Sequence, residues 1–119
     1  MSNRYEYAQV NAAGIVNNDE AGAVDLVENP GTGQYIYIEK LTVSVYEAAE
    51  GGGGIVEILD TGGGVVWRVN ADGIKDVALT FGEEGLRVGP GVGIQATVSG
   101  AQTKQASASV SLTGHIGFR

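Results

Sequence analysis

Cysteine is absent from this chain, and proline, histidine and tryptophan are nearly so, with two, one and one among 119 residues. Without thiols the chain can build neither a disulfide framework nor a thiolate metal site. Basic residues are also scarce, seven against fourteen acidic ones, for a net charge of −7. Nucleic-acid binding rests on neutralising phosphates with Lys and Arg, so this balance argues against a nucleic-acid partner. Long apolar runs are missing too. Nothing approaches the roughly 18 apolar residues of a membrane-spanning helix, and Met1-Ser2-Asn3-Arg4-Tyr5 lacks the apolar stretch of a secretory leader. The expectation is a soluble protein, made in a cytoplasm, with no membrane partner.

What the chain does have is glycine, 20 residues of it, together with many Val and Ile. That mixture is too glycine-rich for long helices and too β-branched for disorder. The clearest segment is Ala106 to Phe118, which alternates without a break. Ala106, Ala108, Val110, Leu112, Gly114, Ile116 and Phe118 share one parity; Ser107, Ser109, Ser111, Thr113, His115 and Gly117 share the other. Period-2 patterning sets the apolar parity against a core. The opposite parity carries no Lys, Glu or Asp, an unusual surface in so acidic a chain.

Elsewhere the pattern predicts strands separated by turns. A first strand is expected at Arg4–Val10, with Asn11–Glu20 as a loop or arm, and a second at Ala23–Glu28, stopped by Asn29-Pro30-Gly31. Gln34–Tyr46 is long and changes parity midway, Ile36 and Ile38 in one phase and Leu41, Val43 and Val45 in the other. A β-bulge near Glu39-Lys40 resets the register so that one side stays inward. Ile55–Asp60 and Val65–Asn70 form a hairpin around Thr61-Gly62-Gly63-Gly64, with Val65, Trp67 and Val69 inward. Lys75, Val77, Leu79 and Phe81 alternate with Asp76, Ala78 and Thr80; Leu86-Arg87-Val88 follows, then a strand with Val92, Ile94, Ala96 and Val98 inward. About eight strands at short spacings predict an all-β antiparallel β-sandwich in a single domain, residues 1–20 giving the N-terminal strand and possible arm and 21–119 the sandwich.

Chemistry-bearing constellations are thin. His115 is the only histidine, with no partner fixed nearby by sequence, so no catalytic residue is assigned and an enzyme is not expected. Asp19-Glu20, Glu83-Glu84 and Asp72 with Asp76 lack the alternating oxygen donors of a calcium loop and read as solvated turn acids, so no metal or cofactor is expected. The glycine runs have no following helix or phosphate-loop Lys and supply turns.

The run Gly33–Ser44, the hairpin strand Ile55–Asp60 and the step Phe81-Gly82-Glu83-Glu84-Gly85-Leu86-Arg87-Val88-Gly89-Pro90-Gly91-Val92-Gly93-Ile94 resemble small jelly-roll proteins of tailed bacteriophages. That group includes decoration, or cement, proteins on the capsid exterior; at fold level the texture also resembles tumour-necrosis-factor-like jelly rolls. The likeness spans roughly Pro30 to Phe118 and implies an eight-stranded jelly roll. It further implies a structural virion protein on the capsid exterior, synthesised in the host cytoplasm. Its partners would be the major capsid protein and itself, as a homotrimer in preference to a dimer.

In such folds the first, last, third and sixth strands share one sheet. Its outer face would then carry Ser107, Ser109, Ser111, Thr113 and His115, with Thr42, Ser44 and Tyr46 and with Ala78 and Thr80. This is the expected oligomer interface, against the plainer reading of a solvated Ser/Thr-rich sheet. The other sheet's outer face, with Glu57, Arg68, Gln95 and Thr97, reads as ordinary solvated surface. Tyr5, Tyr7, Tyr35 and Tyr37 are expected outward as partner contacts. They also motivate the alternative of a glycan-binding or other interaction module of a phage tail or fibre.

Overall fold

The computed structural model describes residues 9–17, 23–47, 55–70, 75–99 and 107–118. Among them there is no helix, and nine strands form two antiparallel sheets packed as a sandwich: β1 (Gln9–Asn17), β2 (Val24–Val27), β3 (Tyr35–Glu47), β4 (Ile55–Asp60), β5 (Val65–Asn70), β6 (Lys75–Thr80), β7 (Leu86–Val88), β8 (Ile94–Ser99) and β9 (Ser107–Gly117). One sheet has the order β1-β9-β3-β6, with β7 also on β3; the other has the order β2-β8-β4-β5. This distribution of strands between the sheets is compatible with a jelly roll.

The core lies between the sheets and is built by the expected parities. From the first sheet Ile36, Ile38, Leu41, Val43, Val45, Val110 and Leu112 point inward; from the second come Val56, Ile58, Ile94 and Ala96, all buried. Burying each of the larger aliphatic side chains contributes about 1.5–3 kcal/mol relative to exposure, which is why their spacing dictates the face each strand turns inward.

The parity change in β3 is a bulge. Ile38 pairs with Gly114 and Lys40 with Thr113, so Glu39 is the extra residue. One inserted residue lets Ile36 and Ile38 on one side of it and Leu41, Val43 and Val45 on the other all face the core. The bulge also accounts for a ninth strand where eight are expected. β6 pairs only with Lys40–Val45, and β7 only with Ile36–Ile38. The neighbouring edge breaks level with the bulge, where the Phe81 amide donates to the Glu39 carbonyl at 2.8 Å.

Three further expectations are corrected. Among the described residues the first strand is Gln9–Asn17: residues 11–17, expected as loop or arm, pair with β9, while residues 4–8 of the expected strand and 18–20 of the expected loop lie outside the described residues. Polar Asn11 and small Ala12, Ala13 and Gly14 conceal the alternation, because an edge strand needs only a few inward residues such as Val10 to seat it. Val65 is 46% exposed and not inward, since the β4–β5 register shifts between Ile58 and Leu59 and leaves Val65 opposite outward Leu59. Trp67 and Val69 do pack on the core. Phe118 is 69% exposed because β9 ends at Gly117 and leaves it no strand partner.

Candidate interaction face

The outer face of the first sheet is organised in rows across strands. Cross-strand partners place Asn11, Thr113, Lys40 and Thr80 in one row, Ala13, Ser111, Thr42 and Ala78 in the next, and Ile15, Ser109, Ser44 and Asp76 in the third. Ser44 is half-buried and the other eleven are exposed. Two of the twelve, Lys40 and Asp76, carry charge, at opposite ends of the face. The middle row has only small side chains, so the surface is flat there. Between the first two rows lies a shallow depression of about 160 Å³ lined by Asn11, Lys40, Thr42, Ser111, Leu112 and Thr113. At the far end Ile15 stands out, 60% exposed.

A fourth level, beyond the bulge, differs in chemistry. Gln9, His115, Tyr37 and Arg87 are successive cross-strand partners there. His115 is 6% exposed, with Nδ1 2.6 Å from Oε2 of Glu39. Its imidazole stacks on Tyr37, ring centroids 5.0 Å apart and planes 11° from parallel. Tyr35 lies 6.2 Å from Tyr37 at a tilt, and the Arg87 guanidinium caps the Tyr35 ring at 4.8 Å. The Tyr37 hydroxyl is buried with no hydrogen-bond partner among the described residues. A carboxylate on the bulge residue, an imidazole, two phenols and a guanidinium thus form one continuous series. His115 covers one face of the Tyr37 ring and Arg87 one face of the Tyr35 ring.

Of the sequence-expected residues, Thr42, Ser44, Ala78, Thr80, Ser109, Ser111 and Thr113 fall on one continuous face. His115 belongs with Tyr35 and Tyr37 at its end. Tyr5 and Tyr7 lie outside the described residues, as do the side chains of Tyr46 and Ser107; the backbone at Tyr46 is a second register shift in the β3–β9 pairing. Lys40, Ile15, Glu39 and Arg87 were not expected as site residues, although the sequence places the bulge near Glu39-Lys40. Lys40 follows from the bulge once Glu39 is identified as the extra residue, because the next position must return to the outward parity.

The opposite sheet presents a mixed surface. Glu57 pairs with Arg68 at 3.3 Å, and the Gln95 side-chain amide donates to Asp25 at 3.1 Å. An open pocket of about 290 Å³ lies between the start of β5 and β7, lined by Asp60, Val65, Val66, Leu86, Arg87, Val88 and Gly89. No group of His, Asp or Glu among the described residues is placed to hold a metal ion. No protein-family model matches the chain, and no curated protein matches it in sequence.

Proposed function

We propose that this protein is a structural, self-associating module, and more specifically a capsid decoration protein that binds the outer surface of a phage shell as a homo-oligomer and stabilises it. The observation that carries self-association is the three-row face of the first sheet: twelve outward positions with two charges, in a chain of net charge −7. A solvated sheet of so acidic a protein would carry more acid than the single Asp76 of this face; the opposite sheet carries Glu57 and Asp25. Short hydroxyl side chains permit close approach of another surface while bridging waters satisfy their oxygens. The finer reading rests on the resemblance of the Gly33–Ile94 run to phage jelly rolls and on a strand order compatible with that fold.

The mechanism would be mechanical. A module spanning neighbouring capsid subunits adds interface that a pressurised shell must break, and each symmetric copy repeats the gain. Native mass spectrometry of the purified protein, with co-sedimentation on capsids, tests both levels. Oligomers that co-sediment support the full reading. Oligomers that do not would confine it to self-association, and a monomer at all concentrations would overturn it.

A further inference from the structure

Resting on the self-association just proposed, the geometry points to a two-fold, face-to-face dimer. Its axis crosses the strands at the Ala13–Ser111–Thr42–Ala78 row, so that Lys40 of each copy meets Asp76 of the other. A two-fold interface must be self-complementary, with residue i meeting j and j meeting i, whereas the rotational contact of a trimer has no such requirement. This face has that property in two independent respects.

The first is charge. Lys40 lies opposite Thr80 and Asp76 opposite Ser44, on adjacent strands. Four residues along a strand separate the two levels by roughly 14 Å, too far for a pair within one copy. Both side chains are exposed, and neither has an ion pair among the described residues. Rotation about the middle row exchanges the two levels and keeps each strand's lateral position. Lys40 then stands over Ser44 of the second copy, offset laterally by one strand spacing, ~4.8 Å, from its Asp76, with the gap between the facing sheets left for the two side chains to span. The symmetric contact repeats at the other end.

The second respect is shape. The same rotation carries Ile15, 60% exposed, to the level of Asn11 on the second copy, at the margin of the ~160 Å³ depression. The protruding apolar side chain and the shallow recess lie on opposite sides of the axis row, and the small side chains of that row let the sheets approach. Facing sheets pack about 10 Å apart when their inner side chains are compact. Where all four strands lie side by side, from Lys40 to Val45, the face offers roughly 400 Å² per copy, the size of a weak, transient interface. Charge placed at its two ends selects orientation more than it adds affinity.

A charge-exchange experiment tests the axis. Lys40→Glu sets an introduced acid against Asp76 at both contacts, and Asp76→Lys sets an introduced cation against Lys40 at both. Each variant alone is expected to weaken dimerisation by more than about tenfold. In a mixed dimer of the two variants the introduced acid meets the introduced cation at one end, while the native Asp76 meets the native Lys40 at the other. An equimolar mixture should therefore recover wild-type affinity. Native mass spectrometry with one variant ¹⁵N-labelled reads the mixed species, and Trp67 emission verifies that both variants are folded. If wild-type protein self-associates and Ser109→Lys with Ser111→Lys abolishes it, but the charge variants associate like wild type or fail to recover on mixing, the axis is wrong while the assembly reading stands. A monomeric wild type overturns both.

Discussion

Gly114 is where this fold allows no Cβ, and Gly114→Ala tests how closely β9 approaches β3. Gly114 is buried opposite Ile38, beside the bulge. A Cβ there would overlap the Tyr37 carbonyl oxygen and stand 3.0 Å from its carbonyl carbon and 3.2 Å from the Ile38 Cα. Every one of these atoms is backbone in the central strand pair, so no rotamer change relieves the clash and β9 must shift. Overpacking of this kind costs about 1–3 kcal/mol. Displacing the next residue, His115, from Tyr37 forfeits a stack worth about 0.5–1.5 kcal/mol. The alanine returns about 0.4–1 kcal/mol by restricting the unfolded chain, leaving a net loss of roughly 0.5–4 kcal/mol. At about 2.1 cal/mol/K of unfolding entropy per residue, a chain of this length loses roughly 4 °C of Tm for each kcal/mol. The expected fall is ~2–16 °C, measured by far-UV circular dichroism with Trp67 emission as a second probe. Thr113→Ala, exposed on the adjoining position, serves as control and should stay within about 2 °C. A Gly114→Ala protein melting at or above the wild-type temperature would refute the close approach.

Other substitutions probe the ends and faces of the sandwich. His115→Ala and Glu39→Ala should each destabilise by about 1–3 kcal/mol, and a urea-denaturation double-mutant cycle should return a coupling of at least about 0.5 kcal/mol. Additive effects would separate the two residues. Arg68→Ala, removing a partner that is 58% exposed in the Glu57 pair, should cost less than about 1 kcal/mol in the same assay. Ser109→Lys with Ser111→Lys should leave the melting temperature within about 2 °C while abolishing assembly in native mass spectrometry. Survival of assembly would reduce the uncharged face to a solvated one.

Legibility followed burial. Val110, Leu112, Val43, Val45, Val56 and Ile94 advertise their inward side because misplacing any of them would expose aliphatic surface. The parity change between Ile38 and Leu41 is therefore a readable trace of the Glu39 bulge. β1 was concealed because its seat depends on Val10 and a few small residues, too weak a pattern to stand out against Asn11 and Asn17. The Val65 misplacement has the same origin as the β3 success: a register shift, here between Ile58 and Leu59, with no strong apolar phase after it to betray the change.

The site divides along the same line. Alternation alone put Ser109, Ser111, Thr113, Thr42, Ser44, Ala78 and Thr80 on outward parities, since a side chain's face depends only on its own strand's period. Which outward residues become neighbours depends on cross-strand register, a property of pairs of strands distant in the chain. Only the folded sheets brought Glu39 within 2.6 Å of His115, stacked that ring on Tyr37, and set Lys40 and Asp76 at opposite ends of one face. Periodicity is local and so was readable from the chain. Adjacency across strands is a product of packing, which was decided by the two sheets closing on a shared core.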